Sequence, residues 1–301
     1  MRFQWITPMV LAGAMGLSAH GEVSTTTAAM QKLSLDGVID QDNDDTLAFT
    51  PDGNTVFFDH SEGQHKTIMI AHKAHGRWSR AQVASFSGKW FDQDPVVSPD
   101  GRYMLFNSDR PISVGGEPLV QTYFSKTDAP GSNLWCVDRR GKGWGEPRWI
   151  GAHINNDVFV DFASIAGDGT LYFMRWDSKN RNMELWRARY NGGEYGSPER
   201  VALGDPSVSI HDPAVAKDQS FIVFDYGKVT GGLGRLSIAF RRGEGWSAPI
   251  DMGDRVNADV PWGPHLSPDG HTVYVTGHSG IWQLNIDPWL DTSSVTFAPG
   301  N

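Results

Sequence analysis

A short turn sequence recurs along this chain and constrains its fold more than any other feature. Ser-Pro-Asp-Gly at 98–101 precedes an apolar run and returns at 267–270 before another. Weaker copies, each followed by an apolar run, contain Asp52, Asp168 and Asp218. Three of the four intervals between the turn aspartates are 48 to 51 residues, and the one from Asp100 to Asp168 is 68 because of the inserted loop at 107–132. A period near fifty is typical of circular repeat proteins built from one supersecondary unit per repeat.

Each unit contains four short apolar runs separated by glycine-rich turns. The first run leads into the Asp-Gly turn, the second leaves it, and the third alternates apolar and polar residues. The fourth follows a turn with glycine, an aromatic residue and often proline, as at 143–147 and 245–249. Proline and glycine lie between the runs, where they do not interrupt a hydrogen-bonded ladder. The pattern predicts an all-β protein with a single β-propeller, since no isolated blade can bury both of its faces.

The fifth unit stops before its fourth strand, and the amino end supplies a replacement. Residues 35–40 resemble the segments that follow the fourth strands at 150–155 and 252–257. We therefore expect the stretch around 31–35 to form the outer strand of the last blade, which closes the ring and removes two exposed strand edges. Five blades are predicted, with six as the alternative if Val120 to Ser125 hides another.

The amino end reads as a secretory signal. Arg2 precedes an apolar stretch from Trp5 to Leu17, and small residues at Ala19 and Gly21 suit a cut before Glu22. The predicted organisation is a signal peptide at 1–21, an N-terminal segment with the closing strand at 22–34, the propeller at 35–290 and a C-terminal tail at 291–301. A chain with one cysteine, Cys136, forms no internal disulfide, and we expect it in the periplasm or secreted.

The composition argues against two kinds of partner, nucleic acid and the interior of a membrane. The net charge of −9 argues against nucleic acid, because phosphate contacts need clustered lysine and arginine. After the signal peptide no apolar run is long enough to span a bilayer. We expect a monomer without a cofactor. Cys136 lies in a strand-like run and is predicted to be an inert core residue.

The repeated motifs resemble a known family. The Ser-Pro-Asp-Gly turn, the apolar pair after it and the Gly-Trp-Gly-Glu-Pro turn at 143–147 look like the WD40-like (PD40) repeats of periplasmic TolB-type propellers. The resemblance covers about 35–290 and implies a propeller of the cell envelope, often one that binds protein. The shared motifs are turn and packing signals, so the resemblance implies no catalytic residue. The separate α/β domain that precedes the propeller of TolB has no counterpart here.

Residues that recur in every blade are interpreted as scaffold. An aspartate in a turn accepts hydrogen bonds from nearby backbone amides, and we assign that role to Asp52, Asp100, Asp168, Asp218 and Asp269. Asn155 and Asn257, each followed two residues later by an aspartate, are predicted to be turn ligands of the backbone in the same way.

Features that break the repeat are predicted to share one face. In a four-stranded meander the starts of the innermost strands and the loops between the second and third strands lie at the same end of the ring. The loop at 107–132, with Tyr123 and Phe124, is long enough to favour a functional role. The candidate ligand-binding residues on this face are Asp94, His211, Asp212, Trp262, His265, Arg110, Arg175 and Trp176.

Two functions of different classes remain open. The favoured hypothesis is an exported binding module of the cell envelope that holds a protein or a glycan at the channel mouth and the 107–132 loop. The alternative is a glycoside-acting enzyme in which Asp45, Asp161 and Asp212 surround a sugar at the channel. No glutamate stands at the start of an innermost strand to act as the acid. No metal site is predicted, since His72 and His75 lack a recognisable third ligand.

Overall fold

The structure is a computed structural model that describes residues 30–123, 128–227 and 234–291. These residues form a ring of five antiparallel blades, which confirms the predicted fold class and the number of blades. The innermost strand of each blade faces the central channel. A short fourth strand completes the outer side of each blade.

The strands follow the predicted order within each blade. Blade 1 contains β2 (Asp44–Phe49), β3 (Thr55–Glu62), β4 (His65–Ala74), β5 (Arg77–Trp78) and β6 (Gln82–Val83). Blade 2 contains β7 (Asp92–Val97), β8 (Tyr103–Ser108), β11 (Asn133–Arg140), β12 (Gly143–Trp144) and β13 (Arg148–Trp149). Blade 3 contains β14 (Val160–Ile165), β15 (Leu171–Asp177), β16 (Asn182–Ala188), the hairpin of β17 (Tyr190–Asn191) and β18 (Glu194–Tyr195), and β19 (Glu199–Arg200).

The remaining blades are built alike. Blade 4 contains β20 (Ser209–Val215), β21 (Phe221–Gly227), β22 (Arg235–Arg242), β23 (Gly245–Trp246) and β24 (Ile250–Asp251). Blade 5 contains β25 (Trp262–Leu266), β26 (Thr272–Gly277), β27 (Gly280–Asn285) and β1 (Gln31–Lys32). A 3-10 helix (Asn257–Asp259) precedes β25, and a one-turn helix α1 (Asp287–Leu290) follows β27.

The ring is closed by the N-terminal strand, as predicted. Strand β1 pairs with β27 in antiparallel register, and the Leu33 amide donates to the Ile281 carbonyl at 2.9 Å. The Gln41 side chain bonds to both sides of this contact. Its amide nitrogen donates to the Leu33 carbonyl and its amide oxygen accepts from the Ile281 N–H, each at 3.0 Å. Leu33 and Leu35 are buried. Chain segments some 250 residues apart in sequence therefore share one blade.

The hydrophobic core lies between blades rather than within them. Separate buried clusters fill the spaces between blades 1 and 2, 2 and 3, 3 and 4, 4 and 5, and 5 and 1. Phe57 of blade 1, for example, packs in one cluster with Met104 and Phe106 of blade 2. Each blade thus buries its faces mainly against its two neighbours, and one small cluster of Phe162, Met174 and Met183 lies within blade 3.

The repeated aspartates hold the Asp-Gly turns, as predicted. Asp100 accepts hydrogen bonds from the Ser98 hydroxyl at 2.8 Å and from the Arg102 N–H at 3.0 Å. Equivalent bonds from the backbone N–H two residues later reach Asp52, Asp168, Asp218 and Asp269. In blade 4 Gln219 occupies the left-handed position that glycine holds in the other turns, with φ of 59°.

The two repeated asparagines bond backbone groups, and their partners include the third strand as well as the turn. The side-chain amide of Asn155 exchanges two hydrogen bonds of 2.9 Å with the backbone of Leu134 in the third strand of its blade. Asn257 bonds Leu236 in the same way, at 2.7 and 3.4 Å. They tie the connection between blades to the third strand, and Gln41 does the same at Ile281. The Asn257 amide also donates to the Gly253 carbonyl of its own turn at 3.2 Å.

The long segment after β8 is not a sixth blade. Its strand β9 (Val120–Gln121) pairs with β10 (Ala129–Pro130) in a separate two-stranded ribbon. Phe124 and the predicted signal peptide lie outside the described residues. Within the described ranges, no helix has the length and apolar character needed to cross a bilayer. Cys136 is buried, and burial raises the pKa of its thiol to about 12.

Removal of the closing strand should destabilise the whole ring. Deletion of residues 22–36 takes away β1 and the buried Leu33 and Leu35, and loss of a buried leucine costs about 2–5 kcal/mol. We expect the thermal midpoint to fall by roughly 10 °C or more. A deletion of 22–29, which keeps β1, is the control. Equal melting of the two truncated proteins, measured by circular dichroism, would contradict closure by β1.

The Asp-Gly turns should each contribute measurably to stability. Asp269→Ala removes the acceptor for the Ser267 hydroxyl and the His271 N–H, and we expect a loss of about 1 kcal/mol by analogy with lost helix caps. Asp42→Ala, at an exposed position, is the control and should leave the free energy of unfolding nearly unchanged. Urea denaturation measures the free energy of unfolding of both variants. Equal values would contradict a stabilising role for Asp269 in its turn.

Candidate functional site

A β-bulge interrupts every innermost strand at the same level of the channel. The ladder to the second strand shifts register there in all five blades. The residue at the bulge has positive φ in each blade: Thr46 (34°), Asp94 (52°), Phe162 (41°), Asp212 (52°) and Gly263 (59°). Only Gly263 adopts this region without a side-chain penalty. Strained backbone of this kind clusters at functional sites.

The bulges also connect neighbouring blades. The N–H of Asp94 donates to both carboxylate oxygens of Asp59, a second-strand residue of blade 1, at 3.1 Å. The N–H of Asp212 reaches the Met174 sulfur at 3.0 Å, and that of Thr46 reaches the Thr276 hydroxyl at 3.1 Å. In each case the acceptor belongs to the second strand of the adjoining blade. The backbone N–H group that leaves the ladder at a bulge is therefore hydrogen-bonded to the adjoining blade.

Carboxylates from four blades gather at the channel mouth, around one lysine. The Lys66 ammonium lies 2.9 Å and 3.0 Å from the two oxygens of Asp45, and 3.7 Å from Asp59. Asp94, Asp161 and Asp212 complete the group, which we call the acidic mouth. Their charges act on one another, since Asp161 and Asp212 both raise the pKa of Asp94. One ammonium faces five carboxyl groups, so the mouth carries excess acid.

Burial dominates the titration of the acidic mouth. It raises the pKa of Asp212 to about 8, and the neighbouring Asp225 and Asp161 add to the effect. It also raises the pKa values of Asp59, Asp94 and Asp161. Burial opposes the charge on Lys66, but the carboxylates of Asp59, Asp45 and Asp94 outweigh it and raise the pKa of that ammonium. The lysine therefore stays charged while part of the acid is protonated.

The 107–132 loop reaches the acidic mouth and an aromatic platform beside it. At its end, the Ser132 hydroxyl donates to Asp161 at 2.9 Å. The Tyr123 ring stacks on Trp176, with centroids 5.5 Å apart and planes 17° apart. The Tyr123 hydroxyl donates to Asp157 at 2.7 Å. The loop thus brings a hydroxyl and an aromatic ring to the face that carries the channel mouth.

A second, mostly apolar space lies in the channel beyond the bulges, toward the Asp-Gly turns. It is a cavity of about 90 Å³ lined by residues such as Ala48, Val96, Ala214 and His265. Phe162 stands at the bulge level and packs against the His265 ring, with centroids 5.2 Å apart. Burial lowers the pKa of His265 to about 4, so its imidazole is neutral. Within the described residues its Nε2 has no hydrogen-bond partner.

The structure brings most of the predicted site residues together, but not all. Asp94, His211, Asp212 and Trp262 stand at or beside the bulges, with the alternative catalytic residues Asp45 and Asp161. Burial lowers the pKa of His211 to about 4. Trp262 packs edge-on against His278, with centroids 5.7 Å apart. His265 lines the cavity beyond the bulges instead of the mouth.

The two predicted arginines are buried and contact aromatic rings and other groups of the protein. The Arg110 guanidinium pairs with Asp92 at 2.6 Å and lies over the Phe106 and Trp135 rings. Arg175 donates to the backbone carbonyls of His153 and Ile154 and lies over two further aromatic rings. Both guanidinium groups are held by the protein itself, although the buried Nε of Arg175 has no hydrogen-bond partner within the described residues. Neither arginine is therefore included in the candidate site at the channel mouth.

Sequence reasoning missed three residues of the site: Asp59, Lys66 and Ser132. Lys66 follows the tight turn between β3 and β4, at the end of blade 1 that carries the mouth, and that position was the signal available. Asp59 is a buried polar residue at the second-strand position that Asn107, Met174, Asp225 and Thr276 hold in the other blades. No group of three or more His, Cys, Asp or Glu side chains in the described ranges is arranged to hold a metal ion.

Comparison with known proteins identifies the fold and not the function. No protein-family model and no curated protein matches the chain. The putative TolB of Agrobacterium tumefaciens is similar in structure, with a TM-score of 0.53 and 16% identity over 87% of this chain and 86% of that one. TolB of Acinetobacter baumannii gives a TM-score of 0.50 and 17% identity over 81% of this chain.

This chain covers 54% of the length of the Acinetobacter TolB. Hydrazine synthase of Kuenenia stuttgartiensis gives a TM-score of 0.50 at 12% identity, over 88% of this chain and 84% of that one. Proteins with such different names share the architecture, because a propeller accommodates many kinds of site. The chain has a TolB-like propeller fold.

The acidic mouth should make the protein less stable as the pH rises. The pKa of Asp212 is about 8 in the folded protein against an ordinary 3.8, so unfolding releases a proton between these values. Asp212→Asn keeps an acceptor for the Gly263 N–H. We expect the variant to gain about 1 kcal/mol or more over the parent at pH 8 and nothing at pH 4.

Asp218→Asn is the matched control, because hydrogen bonds from Ser220 lower the pKa of the Asp218 carboxyl. Its ionised form stabilises the fold above pH 4, so this variant should lose stability at pH 8. Urea denaturation at both pH values measures the difference. A loss of stability at pH 8 in Asp212→Asn would show that the carboxylate is needed in its charged form.

Proposed function

We propose that this protein is an exported binding module of the cell envelope that holds a glycan at the channel mouth. The observation that carries the proposal is the pairing of half-exposed aromatic rings with carboxylates on one face. Trp262 stands beside the bulge of blade 5, and the Tyr123–Trp176 stack stands beside blade 3. The acidic mouth lies among the strands between them.

This combination suits a sugar better than a wholly apolar ligand. Aromatic rings offer flat apolar contact to the C–H faces of a pyranose, and carboxylates accept hydrogen bonds from its hydroxyl groups. The acceptors are positioned before binding, since Asp45 is held by Lys66 and Asp161 by Ser132. A site that is already ordered loses little conformational entropy when the ligand arrives.

The predicted signal peptide at 1–21 and the resemblance of the repeats to TolB-type propellers support an envelope location. Purified extracellular or periplasmic material should then begin near His20 or Glu22 by intact-mass analysis. The same resemblance is also compatible with a protein ligand, and binding of a protein is a separate outcome of the experiment.

One observation favours a second candidate, a glycoside-acting enzyme. Burial keeps Asp212 protonated near neutral pH, with a pKa of about 8, while Asp45 is bound by the Lys66 ammonium. Two carboxyl groups in such different surroundings are the arrangement expected of a general acid and its partner base or nucleophile. Asp161 would then orient the sugar.

Binding to a panel of soluble envelope glycans, peptidoglycan fragments included, tests the first proposal by tryptophan fluorescence and calorimetry. We expect Trp262→Ala to weaken binding by about tenfold or more, because it removes the aromatic contact. Trp78→Ala is the matched control, since Trp78 is also half-buried but belongs to the outer part of blade 1. Trp78→Ala also removes packing against the cluster between blades 5 and 1 and should lower the thermal midpoint more than Trp262→Ala does. Binding of both variants is therefore measured well below either midpoint.

The outcomes separate the candidates. Release of reducing sugar that Asp212→Asn abolishes would replace the binding module with the enzyme. Equal losses of glycan affinity in Trp262→Ala and Trp78→Ala would show that the channel mouth is not the binding site. Retention of an envelope protein, with no glycan bound, would contradict the glycan as ligand.

A further inference from the structure

A polar cavity of about 340 Å³ lies between blades 3 and 4, on the opposite side of the ring from the acidic mouth. Its walls include Thr170, Tyr190, Asn191 and three arginines, Arg187, Arg189 and Arg241. The arginines come from the ends of β16 and β22, which meet the Asp-Gly turns of the two blades. Three guanidinium groups around one cavity stand out in a chain of net charge −9.

Two of these arginines have donors to spare. The Nη1 atom of Arg241 is buried, and within the described residues it has no hydrogen-bond partner. The Arg189 side chain is exposed and forms no ion pair with any residue that the structure describes. Arg187 is already bonded to Glu199 at 2.7 Å, and the other nitrogens of Arg241 are engaged, with Nε donating to the Gly243 carbonyl at 2.9 Å and Nη2 lying 3.7 Å from Glu244. A buried guanidinium nitrogen without an acceptor is costly, so its presence in a cavity wall points to an acceptor supplied from outside.

The scaffold explains only part of this arrangement. Arg241 lies over the Trp246 ring at 5.4 Å, and Arg139 lies over Trp144 at 5.7 Å in blade 2, so that stacking recurs with the repeat. Arg189 has no such counterpart. The Arg189 carbonyl accepts a hydrogen bond from the Gly196 N–H. The carbonyl that accepts the equivalent bond belongs to Asp138 in blade 2 and to Phe240 in blade 4. The second cation is therefore particular to blade 3.

The one carboxylate in the wall does not compete for these donors. Asp168 accepts the Thr170 N–H at 2.9 Å on one oxygen and the Gln219 side-chain amide at 3.0 Å on the other. Two exposed glutamates lie on the other arginines, Glu199 on Arg187 at 2.7 Å and Glu244 on Arg241 at 3.7 Å. Arg189 is the guanidinium of the wall without a carboxylate partner among the described residues, so an anion in the cavity would pair with Arg189 and with the free Nη1 of Arg241.

We propose that this cavity binds the phosphate group of a small phosphate monoester. Guanidinium groups on two different blades, with the hydroxyl and amide groups of Thr170 and Asn191 between them, offer donors from several directions. That distribution matches the tetrahedral oxygens of phosphate better than the plane of a carboxylate. The volume lies within the range of small-molecule sites. The inference does not depend on the function proposed for the channel mouth.

Calorimetric titration of the full chain with methyl phosphate and with inorganic phosphate tests the site. We expect binding at neutral pH that weakens as sodium chloride is added, because exposed charges are screened. Arg189→Gln and Arg241→Gln should each weaken binding by about tenfold or more. Arg139→Gln is the matched control: it removes the same charge and the same stacking on tryptophan, but in blade 2. It should bind like the parent.

Two comparisons make the result decisive. Succinate, a dianion with planar carboxylates, should bind at least about tenfold more weakly than methyl phosphate, and equal binding would overturn the phosphate assignment. Absence of phosphate binding in the parent, or its survival in Arg189→Gln, would overturn the site. Arg189 is exposed, so its replacement should leave the thermal midpoint unchanged and loss of binding there cannot be ascribed to unfolding.

Discussion

Closure of the ring is the constraint on which the rest of the structure depends. The buried clusters lie between neighbouring blades, so each blade is stable only when both neighbours are in place. The last boundary is completed by a strand of two residues, β1, and by the Gln41 side chain across it. The central channel is complete only after this long-range contact has formed.

The bulge in each innermost strand joins the scaffold to the candidate site. It costs backbone strain of about 1–3 kcal/mol at each of the four residues other than Gly263, and it frees an N–H from the ladder. Second-strand side chains of adjoining blades accept several of these N–H groups, as Asp59 does for Asp94. Asp59 is therefore both a structural acceptor and a charge that shapes the titration of the acidic mouth.

The two ends of the ring differ in charge and in chemistry. Carboxyl groups gather where the innermost strands begin, and arginines gather between blades 3 and 4 at the end with the Asp-Gly turns. Structural likeness at 12–17% identity reaches the architecture and no further, so each proposal depends on its own side chains. The overall charge of −9 conceals this separation.

The sequence by itself determined the architecture. The Asp-Gly turn repeats are local signals. Their return at intervals near fifty residues, with one longer step at the 107–132 loop, predicts the blades, their number and the missing strand supplied by the amino end. The roles of Asp100 and Asp269 followed for the same reason, because a turn aspartate bonds to residues next to it in the chain.

The tertiary structure alone decided which side chains meet. Strand alternation cannot place His265 after a bulge, since one extra residue exchanges the two faces of a strand. Arg110 occurs in the long loop, yet an ion pair with Asp92 draws it into the core. Lys66 joins the acidic mouth through Asp45 and Asp59 on other strands of its own blade. Ser132 joins it through a hydrogen bond to Asp161 of the next blade, and the arginine cavity forms from the ends of two strands in different repeats. Contacts of this kind depend on closure of the ring, and the sequence of one repeat carries no record of its neighbour's side chains.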